Sequence, residues 1–198
     1  MLDQYFSNSP AAKSEPKTWS YTLKGISFTF TTDNGVFSKN EVDFGSSLLI
    51  EQFQPSSVTG ALLDLGCGYG PIAIALAAVY PERSVIGVDV NQRALHLAEQ
   101  NARQNQVDNV TFIESNILDN LPEQSFAAIL TNPPIRAGKE IVHQMFEQAA
   151  HALLPNGELW VVIQKKQGAP SAQKKLAELF EEVEVVKRSK GYFILRAK

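Results

Sequence analysis

Two short segments carry residues whose types and spacing suit chemistry. The first is Asp64-Leu65-Gly66-Cys67-Gly68-Tyr69-Gly70, at the end of the apolar stretch Ala61–Leu65. Glycines there let the backbone turn tightly and come close to a ligand. Asp89 lies 19 residues beyond Gly70, and an acid at that distance can accept both hydroxyls of a ribose. The second segment is Asn132-Pro133-Pro134-Ile135. Its prolines fix φ and remove two backbone donors. The Asn132 side-chain oxygen and a nearby carbonyl could then accept N–H bonds from a substrate amine.

A glycine loop followed by an acid is shared with dinucleotide-binding folds, but two details lean elsewhere. The spacing is GxGxG rather than GxGxxG, and Asp64 stands just before the first glycine. A carboxylate there repels a pyrophosphate and suits a cationic amino-acid head group. A nucleoside with a positively charged amino-acid tail is S-adenosylmethionine. An aromatic or amide NH2 is a poor nucleophile because its lone pair is delocalised. Two acceptors on its protons localise that lone pair and aim it. In-line displacement at a sulfonium methyl then depends on positioning and electrostatics more than on a strong base.

Composition narrows the remaining classes. The chain has 198 residues with 44% hydrophobic and 20% charged side chains, ordinary for a single globular domain. Its longest apolar run, 72–80, has nine residues, where a membrane span needs about 20. The first ten residues carry an acid and no apolar core, unlike a secretory signal. The one cysteine, Cys67, excludes an internal disulfide and a cysteine-rich metal site. A reducing cytoplasm is the expected compartment. Net charge is −3, which excludes a globally basic nucleic-acid binder. Residues 165–198 nevertheless hold nine Lys and Arg against four Glu. Such a basic tail suits a polyanion surface or a solvated face.

The elements that position these residues can be read from periodicity. Residues 1–18 read as a loose arm and 19–198 as one domain. Tyr21/Leu23 and Ile26/Phe28/Phe30 alternate around Lys24-Gly25, predicting a β-hairpin. A helix is expected from Asp43 to residue 53, stopped by Pro55. Strands are then expected at 61–65, 84–88, 110–113, 126–130 and 158–163. Helices are expected at 71–80, 91–105 (capped by Asn91), 138–154 and 172–180. Strands at 183–187 and 192–196 close the chain. This alternation predicts an α/β Rossmann-like fold with a mostly parallel seven-stranded sheet. The last two strands are too close in sequence for a parallel crossover, so the sheet should end in an antiparallel hairpin. Both candidate segments then fall at the carboxyl ends of strands, where open α/β sheets bind ligands.

Together these residues resemble the class I S-adenosylmethionine-dependent methyltransferases. More narrowly, the chain resembles the methyltransferase small-domain family, which includes 16S ribosomal RNA guanine-N2 methyltransferases. The resemblance rests on Asn34-Gly35-Val36-Phe37-Ser38 with Asp43, DLGCGYG at 64–70, GVDVN at 87–91, ESN at 114–116 and NPPIRAGK at 132–139. It implies that Asp64, Gly66 and Gly68, with Cys67 and Gly70, hold the methionine part of the cofactor. Asp89 with Val90 would hold the ribose, and Asn116 the adenine. Phe37 and Ser38 would close over cofactor or substrate. Asn132, with Pro133, would be catalytic and border the cofactor. Pro134, Ile135, Arg136 and Lys139 would meet the substrate. The implied partner is ribosomal RNA or the small ribosomal subunit, with no metal and no membrane.

Two departures stand out. Relatives often have an aromatic residue after the NPP triplet, and here it is Ile135, so base stacking must come from Phe37 or Phe30. Some relatives carry a second, inactive domain in front, where this chain has 18 residues. A glutamine N5-methyltransferase of a release-factor type uses the same NPP logic, but Ile135 counts against it. A non-catalytic RNA-binding module is the alternative of another class, and intact Asp64, Asp89 and Asn132 argue against it. Asp64 and the GxGxG spacing disfavour a nicotinamide oxidoreductase. His96, His143 and His151 read as surface or packing residues, and Cys67 as a small residue beneath the cofactor.

Overall fold

The computed structural model describes residues 13–38, 40–121 and 125–198. Residues 1–12 of the expected arm lie outside the described residues. The first strand opens at Lys17, and just before it Lys13 and Glu15 are hydrogen-bonded to Asn34 and Asp33. Strands β1 (Lys17–Leu23) and β2 (Ile26–Thr32) form the expected hairpin, a two-stranded sheet of its own. Helix α1 (Phe44–Gln52) follows, and the Asp43 side chain caps it by accepting from the Ser46 N–H.

The main sheet is built from β3 (Ala61–Leu65), β4 (Val85–Asp89), β5 (Val110–Glu114), β6 (Phe126–Thr131), β7 (Leu153–Gln164), β8 (Val183–Ser189) and β9 (Tyr192–Ala197). Their order is β5-β4-β3-β6-β7-β9-β8. The first five are parallel, and β9 runs antiparallel to both β7 and β8. The seven strands and the antiparallel end agree with the expectation. Helices α2 (Pro71–Val79), α3 (Gln92–Gln104), α4 (Lys139–Ala152) and α5 (Ala169–Leu179) join the strands.

Burial explains the sequence patterns. Leu62, Trp160 and Val162 face one core with α1, α2 and α3, while Leu63, Leu65, Val161 and Ile163 face the other with α4 and α5. Alternate residues of each strand therefore enter opposite cores, and the strands read as continuous apolar runs. Two boundaries differ from expectation. Asn156 does adopt a turn-like φ of 62°, yet Leu153 already pairs with Phe126 before a register shift brings Glu158 opposite Ala128. Strand β7 therefore starts five residues early, with the turn residues in a bulge. Helix α5 begins at Ala169 because Pro170 occupies its first turn, where a proline costs no hydrogen bond.

The hairpin docks through two asparagines, Asn101 on α3 and Asn105 at the C-terminal cap of that helix. Asn101 accepts from the Thr31 N–H and donates to the Thr31 carbonyl, at 2.7 and 3.0 Å. Asn105 does the same to Thr29, both at 2.8 Å. Asn101 also donates to the Tyr69 carbonyl at 3.0 Å, tying the hairpin to the glycine loop.

Candidate active site

The chain leaves β3, fills one side of the sheet with β4 and β5, then returns to β6 on the other side of β3. Such a reversal opens a crevice at the carboxyl ends of the strands. A cleft of about 1080 Å3 lies there, walled by the glycine loop, the ends of β4 and β7, the 115–117 turn, the NPP segment, residues 36–38, Asn40, Asp43 and Ser46. Ligand pockets commonly span ~300–1000 Å3, so this one has room for a nucleoside cofactor and a substrate group.

On the glycine-loop side, Gly66 and Gly68 have φ values of 81° and 55°, a region that favours glycine. A Cβ on Gly68 would meet nothing within 4 Å, so this backbone faces open space. Gly70, expected at the cofactor, is closely packed. It does not line the cleft; a Cβ there would stand 3.0 Å from Ile74, 3.1 Å from Ala98 and 3.2 Å from Phe112. These contacts and its φ of 91° at the start of α2 suit close packing of α2 against α3 and β5. Asp64 is also absent from the cleft surface, lying fully buried beneath the loop. One of its oxygens accepts from the Ala73 N–H at 3.0 Å; the other is buried without a partner. Burial above all, with the nearby Asp89 adding to it, pushes the Asp64 carboxyl up to about 8 against the pull of the Ala73 N–H.

Asp89 reaches the cleft from the end of β4. Its two oxygens accept from the Gly68 and Asn91 N–H groups at 2.8 and 2.9 Å. Burial raises its pKa in spite of these bonds. Cys67 lines the cleft and is nearly buried. Burial, then Asp64 and Asp89, push its thiol well up, so it is unsuited to be a nucleophile. Val90 and Asn116 line the same end, and Asn116 donates to Asp119 at 3.0 Å. Beside it Ile117 holds a φ of 52°, a strained setting for a β-branched residue. Phe37 and Ser38 form part of the wall, with Phe37 61% exposed. Phe30, by contrast, is fully buried against Trp19, Phe28 and Tyr69. It cannot stack on a base, which corrects that expectation.

At the other end, the Thr131 hydroxyl donates to the Leu65 carbonyl at 2.8 Å and pins the end of β6 to the end of β3. This brings Asn132 beside the glycine loop. The Asn132 amide NH2 donates to the Asp43 carboxylate and to the Ser46 hydroxyl, each at 2.9 Å. Pro133, Pro134, Ile135 and Arg136 line the cleft with it, and Ile135–Ala137 form a 3-10 turn. Lys139, expected at the substrate, is exposed on the first residue of α4 and outside the cleft wall. The sequence reading missed Asp43 and Ser46, and also Gln164 and Tyr192, which close the cleft from the β7–β9 side. Only Asp43 left a trace, as part of a family motif. His143 bonds Ser171 at 3.1 Å and stacks on Phe146, a packing role away from the cleft. Among the described residues no cluster of His, Cys, Asp or Glu could hold a metal, and no helix is long and apolar enough to cross a membrane.

Sheet order, hairpin end and glycine loop together define a class I methyltransferase fold. The chain belongs to the methyltransferase small domain family, whose model matches residues 27–196. It is 54% identical to the uncharacterized protein YbxB of Bacillus subtilis, covering 100% of this chain and 99% of that one. It is 31% identical to the ribosomal RNA large subunit methyltransferase G of Psychromonas ingrahamii over 91% of this chain and 48% of the relative. Among solved structures, the T. thermophilus 16S rRNA N2 methyltransferase RsmC, in complex with AdoMet and guanosine, superposes with a TM-score of 0.84. That match has 27% identity and covers 96% of this chain and 52% of the other. The chain thus spans about half the length of the ribosomal RNA methyltransferases it matches.

Proposed function

We propose that this chain is an S-adenosylmethionine-dependent methyltransferase acting on the exocyclic N2 of guanine in 16S ribosomal RNA. The observation that carries the reading is Asn132. Its NH2 is consumed by Asp43 and Ser46, so its oxygen is left to accept from a target amine at the NPP end of the cleft. The match to RsmC supports guanine and the small subunit; the large-subunit relatives keep ribosomal RNA as the common class.

The residues present fit the cofactor. Gly66 and Gly68 bring bare backbone to the cleft, and the orphaned Asp64 oxygen beneath them suits a cationic ammonium. Asp89 would accept from the ribose hydroxyls, with Val90 and Asn116 beside the adenine. The bound cofactor supplies an electrophilic methyl group on a sulfonium. Asn132 would hold the amine and draw density toward its nitrogen. Pro133 and Pro134 keep the strand end rigid and free of competing donors. Exposed Phe37 replaces the missing aromatic at position 135 as the stacking surface for the base. Asp89→Ala should weaken S-adenosylhomocysteine binding roughly ten- to a hundredfold, the loss of charge-assisted bonds of ~1.5–3 kcal/mol. Calorimetry reads this, and unchanged affinity in a folded variant would discard the ribose assignment.

The basic tail supports an RNA surface. Lys175, Arg196 and Lys198 are paired with glutamates. Among the described residues, no ion pair is made by Lys165, Lys166, Lys187, Arg188 or Lys190. Lys190 lies over the Phe44 ring at 4.7 Å and Arg188 over Phe193 at 5.0 Å. The Lys165 N–H bonds the Gly191 carbonyl at 2.8 Å, beside Tyr192 of the cleft wall. Lys190, over the ring that meets Tyr192, thus stands near the cleft wall. Alanine at 187, 188 and 190 together should flatten the salt dependence of RNA binding, and a slope equal to wild type would make the tail a solvated face.

Mass spectrometry of ribosomal RNA from cells lacking the gene, with subunits separated, tests the whole reading. The expected result is loss of one N2-methylguanine from 16S RNA, restored in vitro by the protein and labelled cofactor. Label appearing instead in a protein glutamine would favour the release-factor type of activity. An RNA without any missing methyl group would leave a binding module.

A further inference from the structure

We propose that Asp43 and Ser46 are positioning residues that fix the side-chain amide of Asn132 and thereby set the rate of methyl transfer. This rests on the reading of Asn132 as the acceptor for the target amine. A carboxylate can only accept, so the Asn132 atom 2.9 Å from Asp43 is its nitrogen. The Ser46 hydroxyl, also at 2.9 Å, takes the second proton of the same NH2. With both donors used, the amide plane is fixed and Oδ1 is the group left for the cleft.

The local structure is arranged around this contact. The same Asp43 oxygen that meets Asn132 also caps α1, accepting from the Ser46 N–H at 3.2 Å. Position 45 is a glycine, and a Cβ there would stand 2.9 Å from that oxygen and 2.9 Å from the Tyr192 ring. The first turn of α1 is thus emptied where the carboxylate must lie. Asp43 and Asn132 are 89 residues apart in sequence, so the contact couples the start of α1 to the end of β6. A negative charge on the NH2 side also polarises the amide and strengthens Oδ1 as an acceptor.

Asp43→Ser tests the contact with little cost to the fold, because serine caps a helix nearly as well as aspartate but is too short to reach Asn132. Single-turnover transfer to ribosomal RNA from cells lacking the gene should fall about ten- to a hundredfold. Affinity for S-adenosylhomocysteine should stay within about twofold. Asp43→Asn keeps an acceptor oxygen and should recover part of the rate. In an Asn132→Ala background Asp43→Ser should cost nothing further, the signature of acting through Asn132. Additive losses, or a fall in cofactor affinity equal to the fall in rate, would overturn the proposal. If Asn132→Ala is inactive while Asp43→Ser is fully active, the catalytic reading survives and this inference fails. A second measurement needs no substrate: the side-chain amide resonances of Asn132, assigned by their loss in Asn132→Ala. They should shift and exchange faster in Asp43→Ser; unchanged resonances would overturn the proposal even if wild type methylates no RNA.

Discussion

Asn132→Ala should transfer methyl groups about 10²–10³ times more slowly than wild type, or ~2.7–4 kcal/mol, the usual cost of one aligned electrostatic contact. Cofactor affinity should be nearly intact, because the Asn132 NH2 is held by Asp43 and Ser46 and its oxygen is assigned to the target amine. Single-turnover transfer with saturating cofactor separates the two. A wild-type rate would reduce NPP to a turn and leave the cofactor site standing. From sequence alone, Asn132→Asp looks like the gentler change, since it keeps an acceptor. The contact with Asp43 reverses this expectation. An aspartate at 132 would set two carboxylates against each other, and one would be driven to hold a proton. Its rate should be no better than that of Asn132→Ala, and it should rise as pH falls.

The second large effect concerns Asp64. Its carboxyl is raised to about 8 by burial in the cofactor-free protein, from the ordinary ~3.9 of the unfolded chain. The folded state therefore holds a proton that the unfolded state releases between about pH 4 and 8. The stability contributed by this group is full below that window and is lost as pH rises through it. Asp64→Asn keeps an acceptor for the Ala73 N–H and cannot ionise. Between pH 5 and 8 the wild-type Tm should fall by roughly 10 °C more than that of the variant. The variant should be the more stable of the two at pH 8, yet bind S-adenosylhomocysteine more weakly. Parallel melting curves across the pH range would remove Asp64 as the origin.

Much of this was legible in the sequence, for identifiable reasons. The parallel strands announced themselves because both faces are buried, and the hairpin because Lys24-Gly25 interrupts an alternating pattern. Asp89 and Asn132 were found because each ends a strand, where topology brings ends together. The side-chain geometry was not legible. Nothing near Asp43 in sequence says that its oxygen meets Asn132, since that contact exists only after α1 packs on β7 and β9 and brings its first turn to the residue after β6. Gly70 carries the same letter as Gly66 and Gly68, and only the neighbours of a hypothetical Cβ reveal how closely it is packed. Phe30 and Phe37 looked equivalent as stacking candidates until burial separated them. Ile117 left no trace, because a left-handed isoleucine has no sequence signature.

The asparagines at the C-terminal end and cap of α3 have a consequence for how the molecule behaves in a crowded solution. A two-stranded ribbon exposes unpaired backbone groups along its outer strand, and such a margin recruits other chains. Asn101 and Asn105 each offer one acceptor and one donor to alternate residues of β2, at Thr31 and Thr29. Two carboxamides, one in the last turn of a helix and one at its cap, thus imitate the adjoining strand that the ribbon lacks. The imitation ends where the helix ends, so β2 is shielded against self-association without a third strand having been added.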